Sequence, residues 1–168
     1  MPRDAVIEGV LEHPAIIGKL PGHGDFIARG VAYRARDQFD LWLSEWMKAG
    51  REAHGEDFEA VYEVAAPWLI ETTARTAILM PSMDSVGRLY PILAITDPDC
   101  LTQSIYDCLV GALQDGTKSD DLREALDGLA RSERVPAAEG WFLPEGAEAS
   151  LPSPDTVPEW SAIGEIMV

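Results

Sequence analysis

Asparagine is absent from this chain of 168 residues, and histidine, with three, and cysteine, with two, are scarce. No stretch approaches the ~20 consecutive apolar residues that a membrane-spanning helix requires, which excludes insertion by a helix. A secretory leader is not expected, because Asp4, Glu8 and Glu12 interrupt the apolar residues behind the start. Cys100 and Cys108 fall on what reads as one helix, and eight residues of helix rise about 12 Å, beyond disulfide reach. Two buried thiols in a reducing cytosol are expected, and with them a cytoplasmic location. Cations are few as well: 13 Lys and Arg stand against 29 Asp and Glu, a net charge of −16. The imbalance is uneven, since residues 1–96 carry 14 acidic and 9 basic side chains while 97–168 carry 15 and 4. A field of that sign repels phosphate backbones and anionic lipid, so nucleic acid and membrane surfaces are not expected partners.

What is present is enough for one domain with a substantial core, helped by five tryptophans. Residues 1–14 read as a lead-in. Ala15 to Leu20 is a short apolar run cut by Pro21-Gly22, a strand ending in a loop. From Ala35 to His54, Phe39, Trp42, Leu43, Trp46 and Met47 form one helical stripe; Gly50 weakens the helix and Gly55 stops it. A shorter helix from Glu56 carries Phe58, Val61 and Tyr62. Strands follow at 68–72, 76–80 and 89–96, with Pro91 placing the last at an edge or at its own start. Two more helices carry Ile105, Leu109 and Ala112, then Leu122, Leu126 and Leu129, the second with Ser119 as predicted N-cap. Residues 131–168 read as an irregular, acidic, Pro-rich part, in which Trp141-Phe142-Leu143 and 160–168 add short strands or pack back on the core. Strands spaced this closely leave no room for helical crossovers, so the expected fold is α/β with a mainly antiparallel sheet, one domain over residues 1–168.

Two shaped loops hold the chemistry-bearing residues: Gly18-Lys19-Leu20-Pro21-Gly22-His23-Gly24-Asp25-Phe26, and 80–91, Met-Pro-Ser-Met-Asp-Ser-Val-Gly-Arg-Leu-Tyr-Pro. Glycine and proline specify backbone at both, and loops so specified are where sites sit. Gly18-Lys19 is no phosphate loop, because Leu20 stands where the metal-binding Ser or Thr is required. His23, Asp25 and Asp84 could begin a metal phosphoesterase site, yet three histidines and no asparagine leave the ligand set short. Against that reading, Asp25 accepts N–H groups within its own turn. Ser82 and Ser85 lack a nucleophile elbow and a base of fixed geometry. Arg88 pairs with Asp25, pairs with Asp84, or presents its fork to a partner carboxylate or phosphate. Cofactors and metals are not expected.

Gly18-Lys19-Leu20-Pro21 with Gly24-Asp25-Phe26, the helix of Trp42, Leu43 and Trp46, and Met80-Pro81-Ser82 with Asp84, Val86-Gly87-Arg88 and Tyr90-Pro91 together resemble the TagF/ImpM family of type VI secretion accessory proteins. The resemblance covers about residues 16–96; Ile16-Ile17 stands where an aromatic is common, and His23 where Ser or Arg is. It implies a three-layer α/β/α sandwich and a cytoplasmic, non-enzymatic regulator that acts post-translationally, as a repressor of assembly. The implied partner is a forkhead-associated scaffold protein, in a pathway with a threonine kinase and a phosphatase. On this reading Lys19, Pro21, Gly24, Asp25, Phe26, Ser82, Asp84, Gly87 and Arg88 bind the partner or brace the loops. The acidic face after residue 97 is the other place for an interface.

Overall fold

A computed structural model describes residues 11–133 and 140–154. Five strands, β1 (Leu11–Gly18), β2 (Ile27–Val31), β3 (Trp68–Glu71), β4 (Thr76–Met80) and β5 (Ile92–Thr96), form one sheet in the order β2-β1-β5-β4-β3. Every neighbouring pair is antiparallel. Four α-helices are present among the described residues: α1 (Arg36–His54), α2 (Phe58–Val64), α3 (Thr102–Asp115) and α4 (Ser119–Asp127).

Strand periodicity divides the sheet between two apolar clusters. Ala15, Ile17, Ala77, Leu79, Leu93 and Ile95 pack with Phe39, Leu43 and Trp46 of α1 and Phe58 and Tyr62 of α2. Ile16, Ile78, Met80, Ile92 and Ala94 pack with Ile105 and Leu109 of α3 and Leu122 and Leu126 of α4. Both clusters draw on β4 and β5, which are buried along their whole length. That is why these two strands read as continuous apolar runs in an antiparallel sheet, where alternation is usual.

The α1 stripe falls where its period places it, and Gly55 at φ +55° ends the helix. Gly50 sits inside it for a packing reason: a Cβ there would lie 3.0 Å from the Phe58 ring and 3.2 Å from Leu151. Leu151 belongs to an extended strap, residues 140–154. Its carbonyls accept from Trp46 Nε1 at Pro152 (2.8 Å), Trp68 Nε1 at Leu151 (3.0 Å) and the Ala66 amide at Ala149 (2.8 Å). Trp141 stacks on Trp42, and Phe142 exchanges two backbone hydrogen bonds with Leu69.

Several boundaries differ from the sequence reading. β1 begins at Leu11, inside the expected lead-in, with a register irregularity between Leu11 and Ile16 that takes in Glu12, His13 and Pro14. β2 was not expected at all. β5 starts at Ile92, after Pro91, and Leu89 makes only an isolated bridge to Met83. Cys100 precedes α3 instead of sharing it with Cys108. Lys118 occupies the N-cap of α4, and Ser119 is its first residue. The expected strand at 160–168 lies outside the described residues.

Candidate functional site

Register fixes where the two loops sit. Gly18 pairs with Ile27 on one side and Ile92 on the other, and Ile92 pairs with Met80. The end of β1, the start of β2, the end of β4 and the start of β5 therefore share one end of the sheet, and the loops 19–26 and 81–91 emerge side by side. Gly18 is required at this row: its φ is +132°, and a Cβ would lie 2.1 Å from the Pro91 carbonyl oxygen.

Backbone and side chains then stitch the loops together. The Lys19 amide donates to Pro91 (3.1 Å), the Ser85 amide to the His23 carbonyl (2.7 Å), and Ser82 Oγ to the Lys19 carbonyl (2.7 Å). Ser82 is itself clamped by Tyr62, whose hydroxyl accepts its N–H at 2.9 Å and donates to its carbonyl at 2.8 Å. Pro21 is half-buried in the turn closed by the His23 amide on the Leu20 carbonyl (3.0 Å). Phe26 packs edge-on against Tyr90, 5.9 Å between centroids, with the Arg36 guanidinium over its ring at 5.4 Å. Tyr90 in turn donates to Asp40 of α1.

Asp84 is the centre of the second loop and is 1% exposed. Its Oδ1 accepts the amides of Val86 (3.0 Å) and Arg88 (2.9 Å); its Oδ2 accepts Arg88 Nε (2.6 Å), with Lys19 Nζ at 3.7 Å. Burial alone would raise its pKa, but the hydrogen bonds from the Arg88 amide, the Arg88 guanidinium and the Val86 amide outweigh that and hold it below the ordinary carboxylate value. Gly87, at φ +85°, supplies the left-handed residue that lets this turn close. Arg88 extends from Asp84 to the Gly24 carbonyl (3.1 Å), so one guanidinium ties loop to loop.

Among the open choices for Arg88, the structure selects Asp84. The turn-closing carboxylate is also Asp84 and not Asp25, which is exposed and has no hydrogen bond or ion pair among the described residues. His23 is turned the other way: its Nε2 accepts the Ser119 amide (2.9 Å) at the start of α4. Burial, with the charges of Lys118 and Arg29, lowers its pKa. His23, Asp25 and Asp84 are thus not a shared ligand set, because two of the three already have their lone pairs engaged. No group of three or more His, Cys, Asp or Glu among the described residues is placed to hold a metal. Tyr62, Asp40 and Ser119 are not legible as parts of this region, since each reaches it from an element distant in sequence.

Residues 15–115 match the family model of the TagF N-terminal domain, described as type VI secretion system-associated. The chain belongs to the TagF family. The matched segment of this TagF-family chain contains both loops, α1, α2 and α3, and stops short of the strap. No curated protein matches the chain. Its fold is similar to the crystal structure of PA0076 from Pseudomonas aeruginosa PAO1, at TM-score 0.53 and 20% identity over 92% of this chain and 77% of that one. No helix among the described residues is long and apolar enough to cross a membrane.

Proposed function

We propose that this TagF-family protein, of the group also named ImpM, is a cytoplasmic regulator that acts post-translationally on the type VI secretion apparatus. It represses assembly by docking a forkhead-associated scaffold protein, within a pathway that includes a kinase and a phosphatase, and it does so as a binding protein and not as an enzyme. One observation carries this reading. Asp84, Ser82 and Lys19 are taken up in bracing the two loops, while Val86 at 72% exposure and Met83 at 40% are exposed on the second loop and Asp25 is exposed and unpaired on the first. A rigid loop face that offers apolar side chains and isolated charge suits a protein partner better than a reaction. Helices drawn into both apolar clusters support the three-layer α/β/α arrangement, and the strap's bonds to α1 and β3 support one domain over the whole chain.

The test is a binding measurement with the forkhead-associated scaffold protein. Val86→Glu and Asp25→Lys should leave the melting temperature of the chain unchanged and abolish or strongly weaken binding. Full-strength binding by both variants would refute the loop face as the docking site. Loss on reversing Asp120 and Asp121 instead would move it to the acidic face.

A further inference from the structure

Arg88 is held in one orientation by partners inside its own chain. Its Nε donates to Asp84 and its Nη2 to Gly24, yet the side chain is 64% exposed, and neither hydrogen of Nη1 has a partner among the described residues. A guanidinium fixed along one edge presents the other with little ordering entropy left to lose, which is the condition for tight recognition of an oxyanion. Val86 and Met83 stand exposed on the same loop, and Asp25 follows Gly24 directly.

We propose that Arg88 is a preset socket for an aspartate or glutamate carboxylate of the docking partner, an inference that rests on the docking reading above. The partner's acidic residue meets Nη1, an apolar neighbour covers Val86 and Met83, and a lysine or arginine faces Asp25. The charge pattern selects a carboxylate over a phosphate. Phosphate dianions are held by clusters of cations, whereas here the second cation, Lys19, is turned onto Asp84 with its Nζ 5.0 Å from the Tyr90 ring centroid. Asp25 adds a negative charge beside the socket. One unpartnered donor pair next to one carboxylate complements a surface carrying both signs.

The full chain is titrated calorimetrically with the forkhead-associated scaffold protein, after each variant's melting temperature is measured. Arg88→Gln and Arg88→Lys should bind about tenfold to hundredfold more weakly, the loss expected for one charge-assisted hydrogen bond. Arg88→Lys keeps a cation against Asp84 and lacks the outer donor edge, so it separates recognition from bracing. In the unaltered chain, phenylglyoxal should modify Arg88 when the chain is free in solution and not when it is in the complex, read at that residue by mass spectrometry, and this decides the matter if the variants do not fold. Arg88 equally reactive in the complex, while Val86→Glu still abolishes binding, would overturn the socket and leave the docking face standing. Binding lost when the scaffold is treated with phosphatase would overturn it in favour of phosphate recognition. A Val86→Glu variant that binds normally would remove the docking face and the socket with it.

Discussion

Replacing Tyr62 with phenylalanine deletes one oxygen from a side chain that is 2% exposed, and the consequence falls on a loop 20 residues away. The hydroxyl makes two hydrogen bonds, accepting from the Ser82 amide at 2.9 Å and donating to the Ser82 carbonyl at 2.8 Å. Their fates differ. The carbonyl retains a second donor, the Tyr90 amide at 3.2 Å, so losing the hydroxyl costs about 1 kcal/mol there. The Ser82 amide is left buried without an acceptor, at about 1–3 kcal/mol for an orphaned donor. Together these give a central value of about 3 kcal/mol. For a domain of this size that corresponds to a fall of about 6–12 °C in Tm. Thermal unfolding followed by circular dichroism, with a urea titration at 25 °C for the free energy, measures both. Tyr106→Phe is the control: its hydroxyl has no hydrogen bond among the described residues, so a change within about 0.5 kcal/mol is expected. A Tyr62→Phe variant that melts within 2 °C of the parent, or no lower than the control, would refute the clamp.

At the shared sheet end, Gly18→Ala should prevent accumulation of folded protein, because its Cβ would meet the Pro91 carbonyl oxygen at 2.1 Å; Gly87→Ala, with φ +85° and open space, should cost only about 1–2 kcal/mol in a urea titration. Comparable stability of the two alanine variants would contradict the close approach of β1 to Pro91. Stability should fall on acidification below the ordinary imidazole value of 6.5. Burial lowers the pKa of both His23 and His13, so the unfolded chain binds protons more readily than the folded one, and the contribution is full above 6.5 and lost as pH falls towards the folded values. His23→Gln, whose amide oxygen reaches the position of Nε2 and can still accept from the Ser119 amide without titrating, should flatten that slope; an unchanged slope between pH 7.5 and 5.5 would show that His23 does not hold the start of α4.

What could be read ahead of the structure was whatever depends on local pattern. The α1 stripe, the apolar runs of β4 and the shaped character of both loops follow from spacing and from glycine and proline, and they stand where expected. β2 is hard to read because Ile27-Ala28-Arg29-Gly30-Val31 has weak alternation and an interior glycine, Gly30; pairing with β1 makes it a strand, and pairing is not a local property. β1 was cut short because Glu12, His13 and Pro14 do not read as strand. In the candidate site, the pairing of Arg88 with Asp84 is one of the alternatives that the sequence leaves open beside Asp25. The ties of His23 to Ser119, across 96 residues, and of Tyr62 to Ser82 depend on how the elements dock and leave no local mark. The composition of the strap reads as irregular, and it has little regular structure; its order comes from indole N–H groups on α1 and β3.

Those attachments give α1 a second character, that of a ruler. Near its start, Asp40 and Ser44 hold Tyr90 of the second loop; further along, Trp46 and His54 hold the carbonyls of Pro152 and Ser150. Nineteen helical residues span about 28 Å with almost no longitudinal give. The second loop and the strap are therefore both seated on one helix, and the spacing between them is set by its pitch.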